Sequence, residues 1–81
     1  MKVRQLASNM TELAINSVGT ILFSYETPVA ALTPEGSIRT NKHWSATTSR
    51  HISKWIASRG LVKENFKEVD QEVLYSLVGG K

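Results

Sequence analysis

Two histidines and a run of hydroxyl side chains are the groups in this chain of 81 residues that could support catalysis. A hydroxyl nucleophile needs a base within hydrogen-bond reach. Ser49 and His51 are close in sequence, but two residues along a helix place their side chains about 200° apart. The carboxylates of Glu12, Glu26 and Glu35 fall in separate predicted strands or turns, so they form no acid–base pair. The sequence therefore predicts a protein that is not an enzyme.

Metal and cofactor sites have equally little support in the sequence. The chain has no cysteine, which excludes disulfides and thiolate metal sites. Two histidines among scattered carboxylates make a poor zinc centre. We therefore predict no metal and no cofactor.

Neither a signal peptide nor a membrane span is predicted. Lys2 and Arg4 have no apolar run behind them, and the longest strongly apolar stretch is 21–23. A spanning helix needs about 20 apolar residues. The expected location is the cytoplasm, and no membrane partner is expected.

The charge of the chain is distributed unevenly. The net charge is +3, but residues 1–60 carry a balance of +4 and residues 61–81 a balance of −1. No acidic side chain lies between Glu35 and Glu64. A basic middle of this kind is typical of a protein that contacts an anionic partner.

These groups must be positioned by the predicted secondary structure, which begins with a hairpin. Residues 11–15 and 20–25 have strand-like composition, and 16–19 supply turn residues. In the second strand Ile21, Phe23 and Tyr25 share one face. We expect that face to contact the core.

The next stretch of sequence predicts more strand. Pro28 cannot donate to a ladder and indicates either a bulge or a junction between strands at a sheet edge. Residues 33–36, Thr-Pro-Glu-Gly, predict a tight turn, and residues 37–44 return as a strand. On that strand Arg39, Asn41 and His43 are expected to face water.

A helix over residues 46–58 is the clearest element in the sequence. Ser45 is placed to cap its N-terminus, and Gly60 is placed to end it in the left-handed conformation. At about 100° per residue, one side of this helix is apolar and the other polar. The inward stripe comprises Thr48, Ile52, Trp55 and Ile56, and the outward face comprises Thr47, Arg50, Lys54 and Ala57.

The tail is predicted to be irregular and charged over 63–69, with Phe66 filling the core. Asp70 can cap a short final helix over 70–78, which Gly79 and Gly80 would end. Together the elements predict an α+β fold with residues 1–81 as a single domain. A small antiparallel sheet of three to four strands spans about residues 11–44, the 46–58 helix covers one face, and the C-terminal helix fills the edge. A core this small is marginal, so a homo-oligomer is compatible with the size.

The hydroxyl-rich start of the main helix has two interpretations. Ser45 and Thr48 can serve as cap and packing group, with Thr48 bonding a backbone carbonyl. Alternatively, the free N–H groups and the positive end of the helix dipole bind an anion such as phosphate. The surrounding basic side chains could contact a nucleic-acid backbone or simply solvate the outer face. The candidate binding residues are Arg39, Lys42, His43, Thr47, Arg50 and Lys54.

Two resemblances bear on function. Residues 47–62, TTSRHISKWIASRGLV, resemble the recognition helix and following strand of a winged-helix DNA-binding domain. That likeness implies DNA binding but not the winged-helix fold. A winged helix needs two helices before the recognition helix, and this chain has β-patterned sequence there. The segments Ser24–Ala30 (SYETPVA) and Trp44–Ile52 (WSATTSRHI) resemble the shared pattern of a family of short uncharacterised proteins of bacteriophages and of bacteria that carry them. That likeness implies a phage-encoded domain acting in the host cell, with no activity to carry over.

Two functional hypotheses follow. In the first, the protein is a non-enzymatic phage accessory protein that binds nucleic acid or another phosphate-bearing partner through its basic strand and helix. In the second, it is a host-takeover factor that binds and inhibits a host protein of transcription or defence. An exposed Trp44 or Tyr25 could anchor that second kind of interface.

Overall fold

Six strands and two α-helices make up the computed structural model, which describes residues 2–78. The chain begins with five strands joined by short turns, followed by the long helix and a short C-terminal unit. The elements are β1 (Lys2–Ala7), β2 (Met10–Ile15), β3 (Gly19–Ser24), β4 (Thr27–Thr33), β5 (Gly36–Thr40), α1 (Ala46–Ser58), a 3₁₀ turn (Lys63–Asn65), β6 (Lys67–Val69) and α2 (Gln71–Leu77). The predicted α+β class is confirmed.

The sheet runs in chain order from β1 to β6. Strands β1 to β5 are antiparallel neighbours, and β6 returns after α1 to pair parallel with β5. The predicted hairpin through 16–19 and the turn before Gly36 are both present. Pro28 lies in β4 where the register with β3 shifts, so the bulge interpretation is confirmed and the sheet-edge alternative is wrong.

The prediction of three to four strands over residues 11–44 was wrong in number and in limits. Strand β1 is an edge strand whose side chains are mostly exposed, so its sequence carries little apolar alternation. Strand β6 has only three residues. Strand β5 ends at Thr40 rather than residue 44, because the Thr40 hydroxyl accepts from the backbone N–H of Lys42 at 3.1 Å and the chain bends there.

Both faces of the sheet are covered. Helix α1 packs on the face that carries Leu22, and helix α2 packs on the face that carries Ile21. Both of these side chains are fully buried, which requires a layer on each side because neighbouring residues of a strand point opposite ways. The predicted placement of the C-terminal helix at the sheet edge was therefore wrong, and so was the expectation of one core face. Tyr25, predicted in the core, is 51% exposed in the turn after β3.

Helix α1 has the predicted limits, caps and inward stripe. The Ser45 side chain accepts from the backbone N–H of Thr48 at 3.1 Å. At the other end Gly60 has a φ of 71°, and the N–H groups of Gly60 and Leu61 donate to the carbonyls of Ala57 and Ile56, as in a Schellman motif. The four predicted inward residues are all buried: Thr48, Ile52, Trp55 and Ile56.

The C-terminal unit follows the prediction in part. Phe66 is buried in the core, as predicted, with its ring edge-on to Trp55 at 6.2 Å between centroids. Asp70 is the N-cap residue of α2, but its side chain makes no capping bond. Its Oδ1 instead accepts from the Asn41 side chain at 3.0 Å. The predicted helix end at Gly79 and Gly80 lies outside the described residues.

Over residues 2–78, neither helix combines the length and the apolar character that crossing a membrane requires. In the same range, no three side chains of His, Asp or Glu cluster in a way that could hold a metal ion.

Candidate functional site

The six predicted binding residues line two adjoining depressions on the α1 side of the sheet. The inner cavity, of about 230 Å³, lies between the end of β5, the loop that follows it and α1. The outer depression, of about 680 Å³, follows the solvent side of α1. Arg39, Lys42 and His43 line the first, and Thr47, Arg50 and Lys54 line the second. Ser49 lines both, so the six residues belong to one continuous surface.

Arg39 is less free than predicted. It was expected to face water, but its side chain is only 22% exposed and its Nη1 lies 3.0 Å from Glu68 Oε2 on β6. Its Nε is buried without a hydrogen-bond partner. Arg39 therefore forms one wall of the inner cavity and fastens β6 to β5, and its single positive charge is already paired with the carboxylate of Glu68.

The remaining basic groups of the inner cavity are exposed. Lys42 and His43 follow β5 in the loop, and Lys63 comes from the 3₁₀ turn after α1. The Lys42 ammonium lies 4.2 Å from the centroid of the Trp44 ring, a cation–π distance. Because Glu68 is paired with Arg39, no unpaired carboxylate opposes these groups within the cavity lining.

The start of α1 is capped as predicted, but Thr48 does not bond a backbone carbonyl. Its Oγ1 lies 3.0 Å from Ser24 Oγ and 3.3 Å from Ser45 Oγ. Its hydroxyl is therefore shared between the cap and β3. Binding of an anion at the free end of the helix stays a prediction.

A partly buried hydroxyl–imidazole network joins α1 to β3. Ser24 Oγ lies 2.7 Å from Nδ1 of His51, and the His51 ring lies 6.0 Å from that of Tyr25, centroid to centroid. Tyr25 has a φ of 60°, which is uncommon for a residue with a side chain. A serine beside an imidazole can be a nucleophile, but Ser24 is 1% exposed. The network therefore fastens the helix to the sheet, and it joins the two sequence segments on which the phage resemblance rests.

Residues 1–76 match the sequence profile of DUF8033, a family of unknown function. The chain belongs to this family. The match takes in the whole sheet and α1, and α2 as far as Ser76. No curated protein and no solved structure matches the chain significantly.

Sequence reasoning missed two residues of the site in this DUF8033 domain. Ser49 belongs to the hydroxyl cluster at the start of α1 but is not among the six predicted binding residues, although it lines both depressions and joins them. Lys63 lies just beyond the predicted helix end. Its position was not predictable, because the chain returns to β5 only through strand β6.

His51 should make the stability of the DUF8033 domain depend on pH. Burial of the ring, together with repulsion from Lys54, lowers its pKa below the ordinary value of 6.5. The unfolded chain therefore takes up this proton at a higher pH than the folded domain. We expect the contribution of His51 to the free energy of unfolding to be fully present above pH 6.5 and to be lost as the pH falls from there through the lower folded-state pKa.

The measurement is urea unfolding at a series of pH values. His51→Gln should remove the part of the pH dependence that begins near neutrality, because no titrating ring remains. The matched control is His43→Gln, which replaces an exposed histidine. The explanation is wrong if the two variants show the same pH dependence.

Proposed function

We propose that this DUF8033 domain is a non-enzymatic, phage-encoded accessory protein that binds nucleic acid through the surface made by its two joined depressions. The observation that supports the proposal most is the convergence of six basic or hydroxyl residues, chosen from sequence, on one continuous surface. The phage origin rests on the resemblance of two sequence segments. Both segments contribute to the network of Ser24, Thr48 and His51.

The charges of this surface suit a phosphate backbone. Arg50 and Lys54 are exposed on α1, one helical turn apart, and Lys42 and Lys63 flank the inner cavity. Helix α1 contains no acidic residue. A row of cations without intervening carboxylates neutralises successive phosphates and releases their counterions, which makes binding favourable at low salt.

A second candidate function is binding to a host protein. Between β1 and β3, beyond the part of the sheet face that α2 covers, lies an apolar depression of about 320 Å³ lined by residues including Val3, Leu13, Phe23 and Tyr25. An apolar patch rimmed by polar groups is typical of a protein interface. A host-takeover factor could use this depression without using the basic surface.

The test of nucleic-acid binding is a pair of charge reversals. Arg50→Glu combined with Lys54→Glu should weaken binding to labelled DNA or RNA at low salt more than about tenfold. It should also flatten the dependence of log K on log salt by about 1.5, because two phosphate contacts are lost. Fluorescence anisotropy with single-stranded DNA, duplex DNA and RNA measures both effects.

The matched control is Lys2→Glu combined with Lys67→Glu, which changes the net charge by the same amount. Neither lysine lines either depression. If this control weakens binding equally, the overall charge binds nucleic acid and the surface does not. If the wild-type protein binds none of the three nucleic acids at low salt, the proposal fails. Capture of a host protein that survives nuclease treatment would then favour the second function.

A further inference from the structure

The exposed indole of Trp44 lies beside the inner cavity and is not part of the hydrophobic core. Its side chain is held in the loop between β5 and α1, and the residue is 38% exposed, whereas Trp55 is fully buried. We infer that Trp44 is a stacking site for one unpaired base of a single-stranded nucleic acid, whose neighbouring phosphate is bound by the cations of the inner cavity. This inference rests on the proposed function and names its substrate class.

The indole is fixed in place before any ligand binds. Its Nε1–H donates to Oε1 of Gln71 at 3.0 Å. That same oxygen accepts from the Thr40 hydroxyl at 2.7 Å, and Gln71 Nε2 donates to the carbonyl of Pro28 at 2.6 Å. The Gln71 amide is thus held at both of its ends, and it holds the indole edge. A ring positioned in this way loses little conformational freedom on binding, which favours affinity.

The side chain of Lys42 connects the Trp44 ring to the inner cavity. Lys42 lines the inner cavity, and its ammonium lies 4.2 Å from the Trp44 ring centroid. Lys42 is exposed and its stem is flexible, so a base can take the place of the ammonium on the ring. The ammonium is then free to bind the phosphate of the same nucleotide, beside His43 and Lys63, which line the same cavity.

This arrangement distinguishes single strands from duplexes. The faces of bases in a duplex are covered by their neighbours, whereas an unpaired base can lay its face on an aromatic ring. A duplex can therefore use the cations of the two depressions but not Trp44. An ordered aromatic ring beside cations is the combination that single-strand binding proteins use.

The test compares Trp44→Leu with Trp44→Phe. Both variants lose the hydrogen bond to Gln71, but only phenylalanine keeps an aromatic face, so the difference between them isolates stacking. With a labelled oligothymidine of about 12 nucleotides, Trp44→Leu should bind about ten- to a hundredfold more weakly than the wild type. Trp44→Phe should keep most of the affinity. The salt dependence should not change in either variant, because no phosphate contact is lost.

Duplex DNA and tryptophan fluorescence provide the remaining measurements. Binding of a duplex should be the same for both variants and the wild type. In the wild-type protein, oligothymidine should quench the emission of the exposed Trp44, and duplex should not. This second measurement needs no variant, so it decides the inference even if Trp44→Leu does not fold.

Two results would overturn the inference. One is equal affinity of Trp44→Leu and Trp44→Phe for oligothymidine, and the other is bound oligothymidine that leaves the fluorescence unchanged. If Arg50→Glu with Lys54→Glu still weakens binding in that case, the proposed function is retained and only the stacking site at Trp44 is rejected. If no nucleic acid binds at all, both the proposed function and the stacking site are rejected.

Discussion

Trp55→Ala is expected to lower the free energy of unfolding by about 3–5 kcal/mol. Trp55 is fully buried in the core between α1 and the sheet, where it packs with Leu22, Phe66 and other apolar side chains. Removing the indole leaves a cavity that the surrounding strands cannot fill. Because a domain of this size is stable by only about 5–10 kcal/mol, about half of the protein's stability should be lost. Urea unfolding followed by circular dichroism measures the change.

Trp55→Phe separates packing from hydrogen bonding. The indole Nε1–H donates to Glu12 Oε1 at 2.8 Å, and the same carboxylate pairs with Arg59. Burial raises the pKa of Glu12, but the hydrogen bonds from Arg59 and Trp55 and the positive charges of Arg59 and Arg4 together outweigh it, so the pKa lies below the ordinary value of 4.5. This carboxylate therefore contributes stability above pH 4.5 that is lost as the pH falls through its folded-state pKa.

Loss of the indole donor should raise the folded-state pKa of Glu12, so the loss of stability in acid should be smaller in Trp55→Phe than in the wild type. Ile56→Val is the matched control, because it removes one buried methyl group, at a cost of about 1 kcal/mol, and leaves Glu12 untouched. If the free energy of unfolding has the same pH dependence in both variants, the indole does not stabilise the Glu12 carboxylate.

Gly19→Ala is expected to cost about 3 kcal/mol or more. Gly19 begins β3 with a φ of 125°, and a Cβ built on it would lie 1.9 Å from the backbone oxygen of Leu32 on β4. No flexible side chain can yield there, so β3 and β4 would have to separate at this point. Thermal or urea unfolding gives the loss.

Gly36→Ala provides the control for backbone strain alone. Gly36 has a φ of 142°, but a Cβ there would meet nothing within 4 Å. We expect a cost of about 1–2 kcal/mol from the unfavourable φ, so the difference between the two variants measures the close approach of β3 and β4. Equal costs for the two variants would show that this approach is not a constraint.

The parts of the fold that could be predicted are those in which local signals agree. For α1, the cap at Ser45, the apolar period and the glycine at residue 60 all indicate the same limits, and the structure has them. The hairpin through 16–19 likewise has turn residues between two strand-like runs. Each of these elements is determined by residues close to it in sequence.

The parts that could not be predicted depend on contacts between distant residues. Strand β6 has only three residues and no apolar pattern, and it is a strand because β5 offers it an unpaired edge. The position of α2 depends on the burial of Ile21 and Leu22 on opposite faces, which a strand sequence alone does not reveal. Without β6, nothing indicated that Arg39 pairs with Glu68 or that Lys63 faces the inner cavity.

The order of the strands has a consequence for how fast and in what sequence the domain folds. Strands β1 to β5 each pair with the strand next in the chain, so the loops that must close are short and cost little entropy. Strand β6 can pair with β5 only after the chain has passed through residues 41–66. We expect the hairpins to form early and this pairing to form last. The inner cavity, one wall of which is the Arg39–Glu68 pair, then exists only in molecules that have completed folding.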